Sequence, residues 1–296
     1  MKRSHPAVLF ALCAALPVVS FAQSWVASKG ATDVSLTYQF SNFLGHLGPD
    51  GAKHPENGSR SQAVTLEVDH SLTDRLAMSV SLPYIATKFS DPAPGVDRSG
   101  INDGHYHATW QDYHLDVRYN ALRRPVVFTP FLALVVPSHH YETIGEVAVG
   151  RDLRELHLGF NVGRLLDPWL PNAYFDVHTG YAFSQKALGV STNKTFADLS
   201  AGYFITPRLS GRIIANLQKT HGGLACGQCV GGDIPPDVSL GHDRLLRDNH
   251  FRAGLGVDFA VTPATGIYAA YVNTVRGSST HYGYGVSAGV SRTFSP

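Results

Sequence analysis

Beyond its first 22 residues the chain has no run of about 18 uninterrupted apolar residues, which excludes a membrane-spanning helix. It has almost no excess charge: 24 Lys and Arg stand against 23 Asp and Glu, a formal +1. Nothing in that balance calls for nucleic acid or another strongly charged partner. Cysteine is scarce, three residues in all. The first, Cys13, follows Phe10-Ala11-Leu12, which lacks the small residue expected next to a lipidated cysteine, so a lipoprotein is excluded. No Gly-x-Ser-x-Gly or comparable nucleophile setting is present, nor any recognised metal-ligand spacing. The chain is therefore read as a non-enzyme without a cofactor.

The amino terminus carries Lys2 and Arg3, an apolar run from Ala7 to Val19, then Ser20-Phe21-Ala22. A basic start, a short apolar core and small residues before Gln23 predict a signal peptide over 1–22, cut after Ala22. The run is shorter than the roughly 20 residues a spanning anchor needs. Loss of the leader leaves 22 basic against 23 acidic residues, about −1.

The rest, 23–296, repeats one beat. In Val34-Ser35-Leu36-Thr37-Tyr38-Gln39-Phe40 every second side chain suits lipid and those between suit water. Leu156-His157-Leu158-Gly159-Phe160-Asn161-Val162 does the same. A strand points successive side chains to opposite faces, so this alternation writes one apolar and one polar face. Strands are predicted near 33–43, 61–71, 75–87, 110–120, 126–137, 152–165, 172–184, 195–205, 208–220, 249–261, 266–275 and 282–294. Short connections alternate with long polar ones along the whole chain. That order is expected of an all-β, transmembrane, antiparallel up-and-down β-barrel of about 12 strands, with short periplasmic turns and long outer loops. A mean hydropathy of −0.06 agrees, since only alternate residues need meet lipid. Tyr84, Trp110, Trp169, Tyr174, Tyr203, Tyr268 and Tyr282 fall near strand ends, where interfacial aromatics sit.

Ser71-Leu72-Thr73-Asp74-Arg75-Leu76, running on to Pro83-Tyr84, and the later Ile205-Thr206-Pro207-Arg208-Leu209 carry a resemblance. They resemble the turn and strand wording of the outer-membrane transporter family of the meta-pathway of phenol degradation. The resemblance implies an outer-membrane protein admitting small, often aromatic, molecules, and it brings no catalytic residues.

The predicted inner face holds Glu67, Asp69, Asp112, His114, Asp116, Arg118, Glu155, His157, Asp176, His178, Asp198, Arg212, Asn216, Arg252 and Asp258. These are lumen-lining candidates: they either pair across the barrel as salt bridges or line a path for a solute. Asp112, His114 and Asp116 alternate on one strand, a pattern that can hold a divalent ion but has no recognised spacing. Cys226 and Cys229 fall in the longest loop, 221–248, and read as a disulfide in an oxidising compartment, with a metal site as the alternative. The same loop, rich in glycine, is expected to fold over the mouth. Ser138 beside His139-His140 is the one cluster suggesting a hydrolase. The expectation is a passive channel for small, aromatic or otherwise apolar molecules in a Gram-negative outer membrane. Its partners are the lipopolysaccharide and phospholipid membrane, the solute, and the assembly machinery that reads a late aromatic such as Phe294. A structural or adhesion barrel without transport is the alternative, with an outer-membrane hydrolase behind it.

Overall fold

The structure, a computed structural model, describes residues 24–55, 58–89, 103–143, 148–225 and 242–296. The alternating segments become strands: β1 (Thr32–Leu47), β2 (Lys53–Pro55), β3 (Ser59–Ser71), β4 (Leu76–Phe89), β5 (His107–Trp110), β6 (Asp112–Tyr119) and β7 (Val127–Pro137). Then follow β8 (Glu155–Leu165), β9 (Ala173–Ser184), β10 (Thr192–Thr206), β11 (Leu209–Gly222), β12 (Asn249–Thr262), β13 (Thr265–Ser278) and β14 (Thr280–Phe294). The pair β5 and β6 act as one staggered wall strand, both antiparallel to β4 and broken at Gln111. The three-residue β2 only extends a loop alongside β1. Twelve strands therefore form the wall. Each is antiparallel to its neighbours in chain order, and β1 closes on β14 from Thr32↔Phe294 to Leu47↔Thr280. Closure leaves no sheet edge in the wall, which a β-structure in lipid requires. No described helix is long and apolar enough to cross a membrane.

Several strands outrun their predicted ends on the long-loop side, where β1 reaches Leu47 and β13 Ser278. Three are shorter than predicted, β7 and β9 by one residue and β8 by three: β8 begins at Glu155, not 152, because Asp152 takes a positive φ of 47° that a strand cannot contain. The repeated threonine turns share one device. The hydroxyl oxygen of Thr73 accepts from the amides of Arg75 and Leu76, and that of Thr206 from Arg208 and Leu209. Thr262 does the same for Ala264. A hydroxyl replaces the missing ladder bonds and turns the chain within a few residues.

The register fixes the faces. Leu36, Leu66, Leu115, Leu158, Leu255 and Val290 are exposed on the outer wall. Of the aromatics expected at the interfaces, Tyr84, Trp110, Trp169 and Tyr203 are exposed there too. Tyr174 and Tyr268 are a correction: both point inward. Each lies over a cross-strand glycine, Tyr174 on Gly202 and Tyr268 on Gly289, where a Cβ would come within 2.4 Å of the ring. Glycine leaves the only space for a ring lying flat on the wall, so these tyrosines pack in the lumen instead of facing lipid.

Candidate functional site

The inward residues form three levels between the short-turn end and the long-loop end. At the short-turn end the chain before β1 enters the barrel, although the sequence offers no strand or helix signal there. The Ser24 carbonyl accepts from the Thr129 hydroxyl (2.6 Å) and the Asn120 amide (3.3 Å), and Ser24 is fully buried. Ser24 and Trp25 lie against Gly163, where a Cβ would meet both side chains. Residues 24–31 thus make a floor, tied to the rim by Gly30 N–H to the Ser71 carbonyl (2.7 Å).

Just above the floor sit two ion pairs. Arg118 bonds Asp69 at 2.5 Å and lies 3.6 Å from Asp116. Arg212 bonds Asp258 at 2.7 Å, both almost wholly buried. Glu67 faces the same space one inward position beyond Asp69 on β3. Alternation along β3, β6, β11 and β12 puts these residues on the lumenal face, and strand register pairs them.

The middle level combines rings with a polar row. Phe131 stacks on His178 (centroids 4.5 Å, 21°), and Phe196 lies 5.3 Å from His178 and 5.4 Å from His157. The rings cover the directly paired Gly159 and Gly180, where a Cβ would lie 2.6 Å from Phe131 and 3.0 Å from Phe196. Neither phenylalanine was among the expected lumenal residues. Phe196 was readable, since it shares parity with Asp198. Phe131 was harder to read, because Thr129 alone marks the inward parity in the run 127–136. His178 also bonds Asn161 (2.6 Å), and Asn216 donates to Asp198 (2.8 Å). In register, His178, Asp198, Asn216, Arg252 and Thr274 form one row across β9 to β13. The row borders a cavity of about 500 Å³, whose walls also include Phe43, Ile214, Ala270 and Val272.

The long-loop end is roofed by residues 148–154 and 242–248. Glu155, at the top of β8, takes bonds from Arg151 (3.2 Å), Lys194 (3.0 Å), His157 (2.7 Å) and Ser184 (2.9 Å). Arg244 donates to the Asp152 carbonyl (3.1 Å), and Leu245 packs on Leu153 and Ala187. The Tyr141 hydroxyl bonds Asp112, and burial together with that carboxylate pushes the hydroxyl's pKa up, so it stays a neutral donor. His114 faces the lumen below Asp112, exposed to the interior space. Under the roof lies a second cavity of about 380 Å³, bounded by Val149, Leu246 and Asp248. It shares Gln39, Ser41, Phe43 and Arg252 with the central cavity, so the two are contiguous.

Every predicted lumen-lining residue thus lies on an inward-facing position, but not in one site: they divide among floor, middle and roof. Asp112, His114 and Asp116 share a face, but Asp112 bonds Tyr141 and Asp116 lies beside Arg118. Among the described residues no three His, Cys, Asp or Glu side chains converge to hold a metal ion. Cys226 and Cys229 lie outside the described residues. Ser138 Oγ lies 2.8 Å from His139 Nδ1, but it also reaches the Trp110 carbonyl at 2.9 Å. The far nitrogen of His139 meets the Thr109 hydroxyl (3.0 Å), not a carboxylate, so the third member of a triad is not in contact.

No family model matches the chain, and no curated protein does. Solved structures do. The COG4313 outer membrane channel from Pseudomonas putida F1 superposes with a TM-score of 0.70 at 14% identity, over 92% of this chain and 98% of that one. The translocator domain of the autotransporter NalP from Neisseria meningitidis gives 0.49 at 14% identity, covering 97% and 93%. The KdgM porin gives 0.48 at 8%, covering 89% and 99%. The first likeness establishes the fold, a closed twelve-stranded β-barrel of the outer-membrane kind.

Proposed function

We propose that this protein is an outer-membrane channel for passive passage of small molecules with an apolar, often aromatic, body. The observation that carries the reading is the contiguous pair of cavities, running from beneath the roof to the middle of the barrel. The exposed apolar outer wall supports a lipid setting, with long loops outside and short turns in the periplasm. The leader 1–22 supports export and, with Phe294, handling by the assembly machinery. The COG4313 neighbour is an outer membrane channel, which supports the same reading here. For the solute, the Phe131–His178–Phe196 stack and the apolar side chains of the central cavity support rings over sugars. The link to phenol degradation rests on the turn wording alone.

Single-channel recording of the refolded mature protein tests this, with a small phenolic then added. Steady current that the phenolic blocks supports the channel and the ligand class together. A folded barrel that stays silent and admits no phenolic in vesicle uptake would refute it. A closed barrel with a structural or adhesion role is the second reading, and the Ser24–Trp25 floor is the observation that favours it.

A further inference from the structure

The wall sorts charge by sign. Among the described residues of the twelve wall strands, the outward-facing charges are all basic: Arg60, Lys88, Arg164, Lys219, Arg276 and Arg292. Four of them lie over rings: Lys88 on Tyr106, Arg164 on Trp169, Arg276 on Phe251 and Arg292 on Phe294. The inner wall has the opposite excess. Asp33, Glu67, Asp69 and Asp116 gather round one arginine, Arg118. Arg212 and Lys194 are taken up by Asp258 and Glu155. Asp176, Asp198 and Asp248 border the two cavities, and Arg252 is the one cation there that forms no ion pair among the described residues. Along the described wall strands of a chain that is neutral overall, the inner face is therefore net negative and the outer face net positive.

Position decides which charges a solute meets. Outer bases near strand ends reach headgroups and water, where counterions screen them within about 10 Å. Inner carboxylates sit in a narrow space with low-dielectric walls, which focuses their field along the path. Rings of Asp and Glu in such a space make channels cation-selective.

We propose that the lumen is cation-selective, and that the solutes it favours carry a protonated amine on an apolar body, not a carboxylate. The inference rests on the channel reading for its path, but not for its sign. Asp198, open to the central cavity and held by Asn216, is the carboxylate best placed to meet the amine, with the His178 ring beside it in the row.

The test is the reversal potential of the refolded mature protein under a KCl gradient. The expected result is potassium passing several-fold more readily than chloride. Asp198→Asn should lower that preference, Asp198→Glu retain it, and Arg252→Ala raise it. A chloride preference, or none, overturns the proposal. If no current flows, calorimetry on the folded barrel in detergent still decides, with phenethylammonium set against 3-phenylpropionate, bodies alike and charges opposite. Tighter binding of the amine would uphold the charge inference while the open-channel reading fell. Equal binding, no binding, or tighter binding of the carboxylate would overturn it.

Discussion

Arg212 and Asp258 are nearly inaccessible to solvent, so each depends on the other for compensation of a desolvated charge. Removing one partner strands the other. Arg212→Met is expected to destabilise the barrel by about 3–5 kcal/mol, and Arg212→Met with Asp258→Asn to recover most of it. Urea unfolding followed by Trp25 fluorescence would measure both, and equal losses in the single and double variants would deny the coupling. Asp248 makes a pH prediction. Burial opposes its ionisation, yet bonds from His250 (2.9 Å) and Thr280 (2.5 Å) hold its carboxyl well below the usual range. A depressed carboxylate contributes stability that is fully present at neutral pH. That contribution is lost only as pH falls below about 4, through the folded pKa. Amide protection factors at 246–250, which correct for the intrinsic slowing of exchange in acid, should therefore hold from pH 7 to 5 and fall only in stronger acid. Asp248→Asn should remove the change.

Among the elements, β8 and β9 are the most constrained by what they carry. Gly159 and Gly180 pair directly, and a Cβ on Gly159 would lie 2.2 Å from the Thr179 carbonyl as well as against Phe131. Backbone cannot yield as a side-chain tip can. Gly159→Ala is expected to cost about 1–3 kcal/mol and to displace the Phe131 ring. A lowered unfolding midpoint and a shifted aromatic circular dichroism band would register it. Gly211, whose Cβ would meet only Ile205 at 3.8 Å, is the control, and Gly211→Ala should be nearly silent.

For the whole molecule, the twelve-stranded ring is closed by β1 on β14, so any path through it must pass the floor and the roof and not the wall. Removing residues 23–31 takes out the floor without touching any wall strand. Conductance is expected to rise while heat-modifiable gel mobility stays that of a folded barrel. Unchanged conductance would mean that the roof limits flow. Loosening the roof by Glu155→Gln should then act alone, since that carboxylate gathers Arg151, Lys194 and His157 over the mouth.

The twelve strands and their turns were legible because both signals are local. Alternation in Val34–Phe40 fixes two faces wherever the strand lies, and Thr73, Thr206 and Thr262 turn the chain with their own hydroxyls. Parity alone put Asp69, Arg118, Arg212 and Asp258 on the inner face. It could not say that Arg118 meets Asp69 across β4, because partner choice depends on register summed over several strands. Nor could it place Tyr268 inside, since that needs Gly289 at the facing position. The floor of Ser24 and Trp25 and the roof around Glu155 come from segments without periodicity, held by contacts scores of residues away. Sequence by itself thus determined a barrel with a polar interior. Alternation already set eight acids against three arginines on that face; only closure decided which of them meet and what covers the two ends, because those contacts join residues far apart in sequence.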